Sequence, residues 1–387
     1  MKKINIHEPS FIGNEKKYLQ ECISEGWVST SGSFIDRLEN KISNYLGIKY
    51  SLALNSCTSA LHLAILTLGI KKNEEVLVPT ITFISPINAI LYNNSIPVFM
   101  DCSSDYNIDI KKTIDFINNE TKVVLKNNEK ISINIKTKRK ISAIIIVHTF
   151  GNAAKIHKLV KLCKLRKIKI IEDAAESLGA KIQFQKKIKH TGTFGDIGCI
   201  SFNGNKIITS GGGGILVTNN YTLFKKAKHF STQSKIDPIN YLHDQIGYNY
   251  RISNLQASVG LAQFEKIDIY LNKKKKIFNY YNQSLKNNKN FYIMCSDDYS
   301  ISNNWINILR INNSRLKKEM IFDKFKKNNI ETRSVWFPNH LQKHLKKFQK
   351  YKITNSYKLY DNSICLPSSF GLNNKELKKI IDCLLNL

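Results

Sequence analysis

Short, continuously apolar segments alternate with amphipathic segments over the first two-thirds of the chain. Continuous apolar runs predict strands that are buried on both faces, and amphipathic stretches between them predict helices. The predicted strands are 50–54, 75–79, 96–101, 141–148, 168–172, 197–202 and 214–218. The predicted helices between them are 59–68, 83–92 and 154–166. The pattern therefore predicts an α/β fold with a mainly parallel sheet that is covered by helices.

The last third of the chain has a different pattern. A long helical stretch runs from about Ser253 towards Leu285, and Ser253 and Gln256 form a predicted capping box at its start. A strand over 305–311 and helices over 316–327 and 376–385 complete this part. We therefore expect two domains, which is compatible with the length of the chain. They are a large α/β domain, residues 1–250, and a smaller C-terminal α+β domain, residues 251–387.

The composition of the chain favours a globular protein and gives no sign of a membrane-spanning or metal-binding one. Hydrophobic residues make up 42% of the 387 positions, enough for a packed interior. No apolar run reaches the roughly 18 residues of a membrane span, and the N-terminus lacks a signal-peptide pattern. The eight cysteines stand singly, which predicts reduced structural thiols and no metal site. We expect a soluble, cytoplasmic protein without a membrane partner.

The net charge of +29 raises the possibility of a nucleic-acid partner. However, the lysines are spread along the chain, and runs such as 273–276 lack interleaved aromatic residues. Lysine, asparagine and isoleucine are all abundant and share A/T-rich codons, so genome composition explains the charge. We expect solvated helix faces and no nucleic acid, with a basic nucleic-acid-binding protein as the remote alternative.

Three segments carry candidate chemistry, and each has an ordinary structural alternative when taken alone. The loop 55–62 joins a strand to a helix whose first N–H groups can bind an anion, although Ser and Thr are also ordinary N-cap residues. Glu172 and Asp173 end a central strand, where ligands bind, although a helix cap would also explain them. Lys206 lies among uncharged residues just before glycines 211–214 and can act as a Schiff-base nucleophile, although it can also be a surface lysine.

In this order the three segments resemble the DegT/StrS-type sugar aminotransferases, which depend on pyridoxal 5'-phosphate. The matching segments are 26–32, 58–62, 79–83, 148–152, 172–176, 201–206, 247–251 and 366–369. Within the family, the likeness is greatest to the bacillosamine and legionaminic-acid type, through the sequence at 201–206 and an extra segment at 106–140. Gly212 replaces the Glu that most members carry, which supports this subgroup. The resemblance implies fold-type I: a mainly parallel, seven-stranded-type sheet sandwiched by helices.

The resemblance also implies the cofactor and the residues that bind it. Lys206 would hold pyridoxal phosphate as an internal aldimine and later move the proton at the substrate carbon. Asp173 would keep the pyridine nitrogen protonated. Glu176, one turn further on, would lie near the cofactor ring, and Phe83 would stack on it. The remaining implied contacts, all to the cofactor phosphate, are Thr58, Ser59, Ser201 and Asn249.

The implied partners are a second subunit and two substrates. Asn249 would reach the cofactor of the neighbouring subunit, so the expected unit is a homodimer. Glutamate would donate the amino group, and a 4-keto-6-deoxy nucleotide sugar would accept it at C4, with the UDP-N-acetyl type preferred. The product would serve bacterial surface glycan or nonulosonic-acid synthesis. The predicted substrate contacts are Trp27, Thr30, Arg251 and His340.

The sequence leaves alternatives open for individual residues and for the substrate. Trp27 can be a core aromatic residue, and His340 can be structural. A GDP-perosamine-type synthase is the nearest alternative function, whereas a sugar 3-dehydratase would carry His in place of Lys206. The sequence leaves open the choice of UDP or GDP, the C4 configuration, the acetamido group, the downstream glycan and assembly beyond a dimer.

Overall fold

The computed structural model describes residues 3–184 and 187–387. The strands, in chain order, are β1 (Tyr50–Leu54), β2 (Glu75–Pro79), β3 (Ile96–Met100), β4 (Thr121–Lys126), β5 (Glu129–Asn134), β6 (Ile141–Val147), β7 (Lys169–Asp173), β8 (Lys181–Phe184), β9 (Lys187–His190), β10 (Ile197–Ser201), β11 (Gly214–Thr218), β12 (Lys235–Asp237), β13 (Leu242–His243), β14 (Phe291–Ile293), β15 (Ser300–Ile301), β16 (Asn307–Ile311), β17 (Arg333–Ser334), β18 (Lys350–Tyr351) and β19 (Ser363–Leu366). All seven strands predicted for the first two-thirds of the chain are present.

The helices pack on and around these strands. In chain order they are α1 (Glu15–Ser24), α2 (Ser33–Leu46), α3 (Cys57–Thr67), α4 (Ser85–Tyr92), α5 (Ile110–Asn119), α6 (His157–Leu165), α7 (Tyr221–Ser231), α8 (Asn254–Phe264), α9 (Ile267–Leu285), α10 (Lys318–Lys327), α11 (Asn355–Asp361) and α12 (Asn374–Leu385). Among the residues that the structure describes, no helix combines the length and the apolar character needed to span a bilayer.

The central sheet has the strand order β1-β11-β10-β7-β6-β2-β3-β18. Every neighbouring pair from β10 to β18 is parallel, and β11 pairs antiparallel with both β1 and β10. The two-residue strand β18 comes from the C-terminal part of the chain and extends the seven predicted strands to eight. The predicted α/β fold with a mainly parallel sheet is confirmed.

Strand β6 shows why the sheet is covered on both faces. All seven of its residues are buried. Ala143, Ile145 and Val147 pack into the apolar cluster on one face, and Ile144 and Ile146 pack into the cluster on the other. Successive side chains of a strand point to opposite faces, so a continuous apolar run requires two covering layers.

The C-terminal part contains a separate four-stranded sheet with the order β14-β16-β19-β17, whose neighbouring pairs are all antiparallel. Helices α9, α10 and α12 pack together beside it. Helix α8, which follows residue 250, packs instead against α1 and α2 near the N-terminus. The domain boundary near residue 250 stays a prediction.

The helical stretch predicted from about Ser253 towards Leu285 is present as two helices, α8 and α9, with a short break between them. Lys266 leaves helical geometry with φ −109° and ψ 13°. The break lets one residue from each helix reach the same carbonyl: Gln263 and Tyr270 both donate to the carbonyl of Ser10, at 2.8 and 2.7 Å. The predicted capping box of Ser253 and Gln256 is confirmed.

Asp101 follows β3 and connects the large sheet to α11. Its buried carboxylate accepts hydrogen bonds from the Lys112 ammonium at 2.6 Å and from the N–H groups of Thr354, Asn355 and Ser356. Burial opposes its ionisation, but these donors outweigh burial and lower the pKa of Asp101 to about 2. The ionised carboxylate therefore stabilises the folded state.

We expect Asp101→Asn to destabilise the protein in a pH-dependent way. A lowered carboxyl pKa contributes stability above the pKa of the unfolded chain, about 4, and that stability is lost as the pH falls towards 2. The stability difference between wild type and variant should therefore shrink by roughly 2 kcal/mol between pH 6 and pH 2. Urea unfolding at several pH values measures it, with the exposed Asp298→Asn as control. A difference that does not change with pH would contradict the assignment.

Candidate active site

Lys206 lies in the loop between β10 and β11, at the carboxyl edge of the parallel strands. Its backbone N–H donates to the carbonyl of Asn203 at 3.0 Å, which forms a turn. The side chain is 13% exposed, and its Nζ lies 3.9 Å from Oε1 of Glu176. The same nitrogen lies 4.1 Å from the centroid of the Trp305 ring. The amine is thus held in a partly enclosed place, near one carboxylate and one aromatic face.

Asp173 is the last residue of β7, which lies between β6 and β10 in the sheet. One carboxyl oxygen accepts the N–H of Ala175 at 3.0 Å. Among the described residues this is the only hydrogen bond to the carboxyl group. Burial raises the pKa of Asp173, while the Ala175 N–H and the Lys206 ammonium act in the opposite direction. A buried carboxylate with so few donors favours a cationic or protonated ligand.

Glu176 follows in a turn, not in the helix that its spacing from Asp173 suggested. Its Oε2 accepts the N–H of Phe150 at 2.7 Å. Burial raises the pKa of Glu176, the Lys206 ammonium and the Phe150 N–H lower it, and Asp173 raises it further. Two buried carboxyl groups thus lie near one lysine amine in this part of the site.

Glu172 is a residue whose role the motif did not reveal. It is fully buried, and its Oε1 accepts the N–H groups of Phe194 and Gly195 at 2.5 and 2.6 Å. Its Oε2 accepts the N–H of Gly192 and the Nε2–H of His148, both at 2.9 Å. Glu172 therefore fixes the loop that leads into β10, whereas its neighbour Asp173 faces the cavity.

Helix α3 brings its N-terminus to the same edge. Ser56 caps the helix by accepting the N–H of Ser59 at 3.0 Å. Thr58 lines the cavity, and its hydroxyl donates to that of Ser85 at 3.0 Å. The hydroxyl of Ser59 instead donates to Asn55 at 2.7 Å, away from the cavity lining. The free N–H groups of a helix N-terminus form an anion site.

The glycine run lies directly against this helix N-terminus. A Cβ on Gly214 would lie 2.5 Å from the backbone nitrogen of Cys57. Gly213 has a φ of +120°, a conformation that side chains disfavour. Only glycine lets this strand approach the start of α3 so closely.

These elements enclose a cavity of about 250 Å³. Of the predicted residues, those that line it are Thr58, Phe83, Asp173, Glu176, Ser201 and Lys206. Lining residues that sequence reasoning missed include Thr82 and Trp336. The buried hydroxyl of Thr82 has no partner within the described ranges. The ring of Trp336 packs edge-on against Phe83 at 5.5 Å. Thr82 lies within the matching segment 79–83, although only Phe83 of that segment was predicted as a site residue, and no spacing signal pointed to Trp336.

The other predicted residues lie outside the cavity lining of this single chain. Trp27 and Thr30 are exposed. Arg251 binds Glu39 at 2.9 Å and the carbonyl of Ala53 at 3.0 Å, so its guanidinium already has partners. His340 is buried and shares a hydrogen bond with Thr80 at 2.7 Å. Burial and Lys350 lower the pKa of His340 to about 4, against a smaller effect of Asp101.

Asn249 also lies outside the lining, on the surface of the subunit. Its carbonyl accepts the side-chain N–H of Asn55 at 3.2 Å, next to the start of α3. Its own side chain is exposed. This position is compatible with a contact to a second subunit. Its predicted role across a dimer interface, like the other predicted site roles, stays a prediction.

The residues that meet in the cavity fit pyridoxal 5'-phosphate. The N-terminus of α3, with Thr58 and Ser201, can bind a phosphate. Asp173 offers a buried carboxylate to a protonated ring nitrogen, and Lys206 offers an amine to an aldehyde. Phe83 presents an aromatic ring to a flat ligand. The observation that decides the fit is the buried Asp173 carboxylate, whose one hydrogen bond within the described part of the chain comes from the neutral N–H of Ala175.

The sequence profile of the DegT/DnrJ/EryC1/StrS aminotransferase family matches residues 9–385. GDP-perosamine synthase of Escherichia coli O157:H7 is 35% identical over 382 residues, which cover 97% of this chain and 96% of that protein. UDP-4-amino-4,6-dideoxy-N-acetyl-beta-L-altrosamine transaminase of Campylobacter jejuni serotype O:23/36 is 30% identical and covers 93% and 91%. A DegT DnrJ EryC1 StrS aminotransferase from Brucella abortus has the same fold, with a TM-score of 0.86 at 24% identity over 96% of this chain and 95% of that chain.

Proposed function

Because the chain belongs to the DegT/DnrJ/EryC1/StrS aminotransferase family, we propose that it transfers the amino group of glutamate to C4 of a 4-keto-6-deoxy nucleotide sugar. The chain is a nucleotide-sugar aminotransferase that depends on pyridoxal phosphate. The observation that carries the proposal is the presence of Lys206 and Asp173 in one cavity, at the carboxyl edge of the sheet.

Bound pyridoxal phosphate supplies an aldehyde that accepts amines and a protonated ring that withdraws electrons. Asp173 would hold the proton on the ring nitrogen, because an ionised carboxylate in a buried site stabilises a cation next to it. Lys206 would bind the cofactor covalently. When detached, its Nζ would carry a proton to and from the substrate carbon that bears the amine.

Glu176 would act on Lys206 and on the cofactor's polar edge. Its Oε1 lies 3.9 Å from Nζ, so it attracts the ammonium without a direct hydrogen bond. Because burial raises its pKa, the carboxyl group of Glu176 holds a proton more readily than an exposed Glu.

The rings of Phe83 and Trp336 would exclude water from one side of the cavity. The first turn of α3 would bind the phosphate.

Two observations bear on which nucleotide sugar is the substrate, and they favour different sugars. Gly212, which marks the acetamido-sugar subgroup in the sequence, lines the cavity. The extra segment 106–140 forms α5 and the β4–β5 hairpin, and none of it lines the cavity. The relative at 35% identity is a GDP-perosamine synthase, which favours a GDP sugar as the second candidate. We propose the UDP-N-acetyl sugar as the substrate because Gly212, the residue that marks the acetamido-sugar subgroup, lines the cavity.

A panel of 4-keto-6-deoxy nucleotide sugars tests this proposal. The protein, loaded with pyridoxal phosphate, is incubated with glutamate and either a UDP-N-acetyl sugar or the GDP-mannose derivative. The amine product is identified by mass spectrometry, and 2-oxoglutarate is measured as the co-product. We expect a kcat/KM at least about tenfold higher for the UDP sugar, since a few well-placed polar contacts discriminate by that much. The reverse preference would establish the GDP alternative, and turnover of neither sugar would overturn the proposal. Aspartate and alanine in place of glutamate test the donor.

A homodimer is part of the proposed function, and the β12–β13 segment supports it. This segment and the residues after it expose an unusual set of large apolar side chains just before Asn249. They are Ile236, Ile239, Tyr241, Leu242 and Ile246. Ile239 and Ile246 are 84% and 81% exposed. A group of large exposed apolar side chains of this kind favours an interaction site.

We expect the double substitution Ile239→Asp and Ile246→Asp to weaken the dimer at least about thirtyfold, because buried apolar anchors dominate interface energies. Size-exclusion chromatography with light scattering over a range of concentrations measures the effect. Leu165→Asp is the matched control, since Leu165 is 76% exposed on α6, outside this segment. Wild-type protein that stays monomeric, or a double variant that dimerises as tightly as wild type, would contradict the proposed interface.

A further inference from the structure

Trp305 is a residue that neither the motifs nor the cavity lining single out, yet it lies under the reactive amine. The Lys206 Nζ is 4.1 Å from the centroid of its ring. Trp305 itself is 3% exposed and belongs to the main apolar core. A cation over an indole face is attracted by the ring quadrupole. The free amine therefore has a defined resting place between this ring and Glu176.

Hydrogen bonds fix the Trp305 ring relative to the site. Its indole N–H donates to the carbonyl of Asn205, the neighbour of Lys206, at 2.6 Å. Its backbone N–H donates to Asn303 at 2.9 Å. The amide of Asn303 in turn donates to the carbonyls of Glu176 and Leu178, both at 2.9 Å. The ring is thus tied both to the loop that carries Lys206 and to the turn that carries Glu176.

Lys274 binds the backbone of Trp305. It lies on α9 and is buried, which is unusual for lysine. Its ammonium donates to the carbonyl of Trp305 at 3.0 Å and to the carbonyl of Ser368. Within the described residues no carboxylate lies within ion-pair distance of it. Burial lowers the pKa of Lys274 to about 7. A buried lysine that binds only carbonyls costs stability, so its position points to a role in fixing these two segments.

We propose that Trp305, supported by Lys274, is a positioning residue that holds the free amino end of Lys206 ready to capture the cofactor aldehyde. In this capture the ammonium first releases one proton to solvent, the neutral nitrogen then forms a C=N bond to the aldehyde carbon, and the aldehyde oxygen leaves with the two remaining amine hydrogens as water. Nζ makes no close hydrogen bond to Glu176, so the contacts that hold it are weak enough to be released. The inference rests on the proposed function, because it assumes that Lys206 binds the cofactor.

The experiment measures the rate of covalent capture, not turnover. Cofactor-free protein is mixed rapidly with pyridoxal phosphate and followed by visible absorption, and borohydride followed by mass spectrometry confirms attachment at Lys206. Trp305→Leu should slow capture about tenfold, because the amine is then no longer held in one place and correct positioning of a reacting nitrogen is worth at least that factor. Trp305→Phe keeps an aromatic face and should retain most of the rate. In a Lys206→Ala background, Trp305→Leu should leave the dissociation constant of pyridoxal phosphate within about twofold.

The variant Lys274→Met tests independently whether Lys274 supports Trp305 during capture. Lys275→Met is the matched control, because Lys275 is the exposed neighbour on the same helix. We expect slower capture in the first variant and a wild-type rate in the second. If Lys274→Met fails to fold by circular dichroism, the Leu and Phe variants of Trp305 decide the question. Equal capture rates in wild type and Trp305→Leu would overturn the inference alone. Wild-type protein that captures no pyridoxal phosphate would overturn the proposed function instead.

Discussion

Lys206→Ala is expected to abolish both covalent cofactor attachment and amino transfer. The variant loses the nitrogen that captures the aldehyde and the group that moves the proton at the substrate carbon. Positioned proton transfer alone is worth up to about 10⁴-fold, so turnover should fall by at least that factor. Visible absorption and borohydride trapping with mass spectrometry measure cofactor attachment, and 2-oxoglutarate release measures amino transfer.

Two control variants distinguish the loss of the reactive nitrogen of Lys206 from the loss of its positive charge. Lys206→Arg keeps a cation beside Glu176, but a guanidinium is not a nucleophile at neutral pH, so this variant should also fail to attach the cofactor. The exposed Lys275→Ala should behave as wild type. Trapped cofactor on another lysine in Lys206→Ala, with activity retained, would show that the assignment of Lys206 is wrong. A wild-type protein that attaches no cofactor at all would bring the basic nucleic-acid-binding alternative forward, to be tested by salt-dependent binding to nucleic acid.

The sequence predicted the meeting of three distant segments because the sheet is parallel. The loop before α3, the end of β7 and the loop after β10 all follow strands, and the carboxyl ends of parallel strands share one edge. Their order along the chain resembled that of a known family, which made the prediction specific. The structure brings Thr58, Asp173 and Lys206 into one cavity, as that logic requires.

The sequence did not predict which side chain of each segment faces the cavity. Glu172 and Asp173 are adjacent, yet one fixes a loop and the other faces the cavity, because successive strand residues point to opposite faces. Thr58 and Ser59 divide in a similar way at the start of α3. Trp305 stood at the start of the strand predicted over 305–311, which begins instead at Asn307, and Trp336 lies in an irregular segment; neither position carried a signal for the site. The break between α8 and α9 is accompanied by hydrogen bonds from both helices to Ser10, over two hundred residues earlier.

Substrate recognition was predicted least securely, for a physical reason. A family motif fixes the residues that bind the shared cofactor, whereas a sugar and its nucleotide are recognised by side chains that differ among members. Arg251 illustrates this difficulty, because its guanidinium is paired with Glu39 in the isolated chain. Trp27 and Thr30 are exposed, where a second subunit or a bound substrate can cover them. Their roles stay predictions.

Asp173→Asn is expected to keep the cofactor attached and yet lose most of the activity. The substitution preserves shape and the acceptor for the Ala175 N–H, but it removes the negative charge that holds a proton on the ring nitrogen. Loss of one preorganised electrostatic group in a buried site costs on the order of 10² to 10³ in kcat. The exposed Asp36→Asn on α2 should leave kcat unchanged.

The measurement that distinguishes this variant from Lys206→Ala is borohydride trapping. Asp173→Asn should trap the cofactor at Lys206 to the same extent as wild type, while 2-oxoglutarate release in single turnovers is slow. Because kcat falls while attachment persists, the loss is placed in the proton-transfer steps and not in binding. If Asp173→Asn neither binds nor traps the cofactor, the carboxylate contributes mainly to the fold of the β7 edge. If it keeps full activity, the ring nitrogen does not depend on Asp173, and the buried carboxyl needs another partner to explain its position.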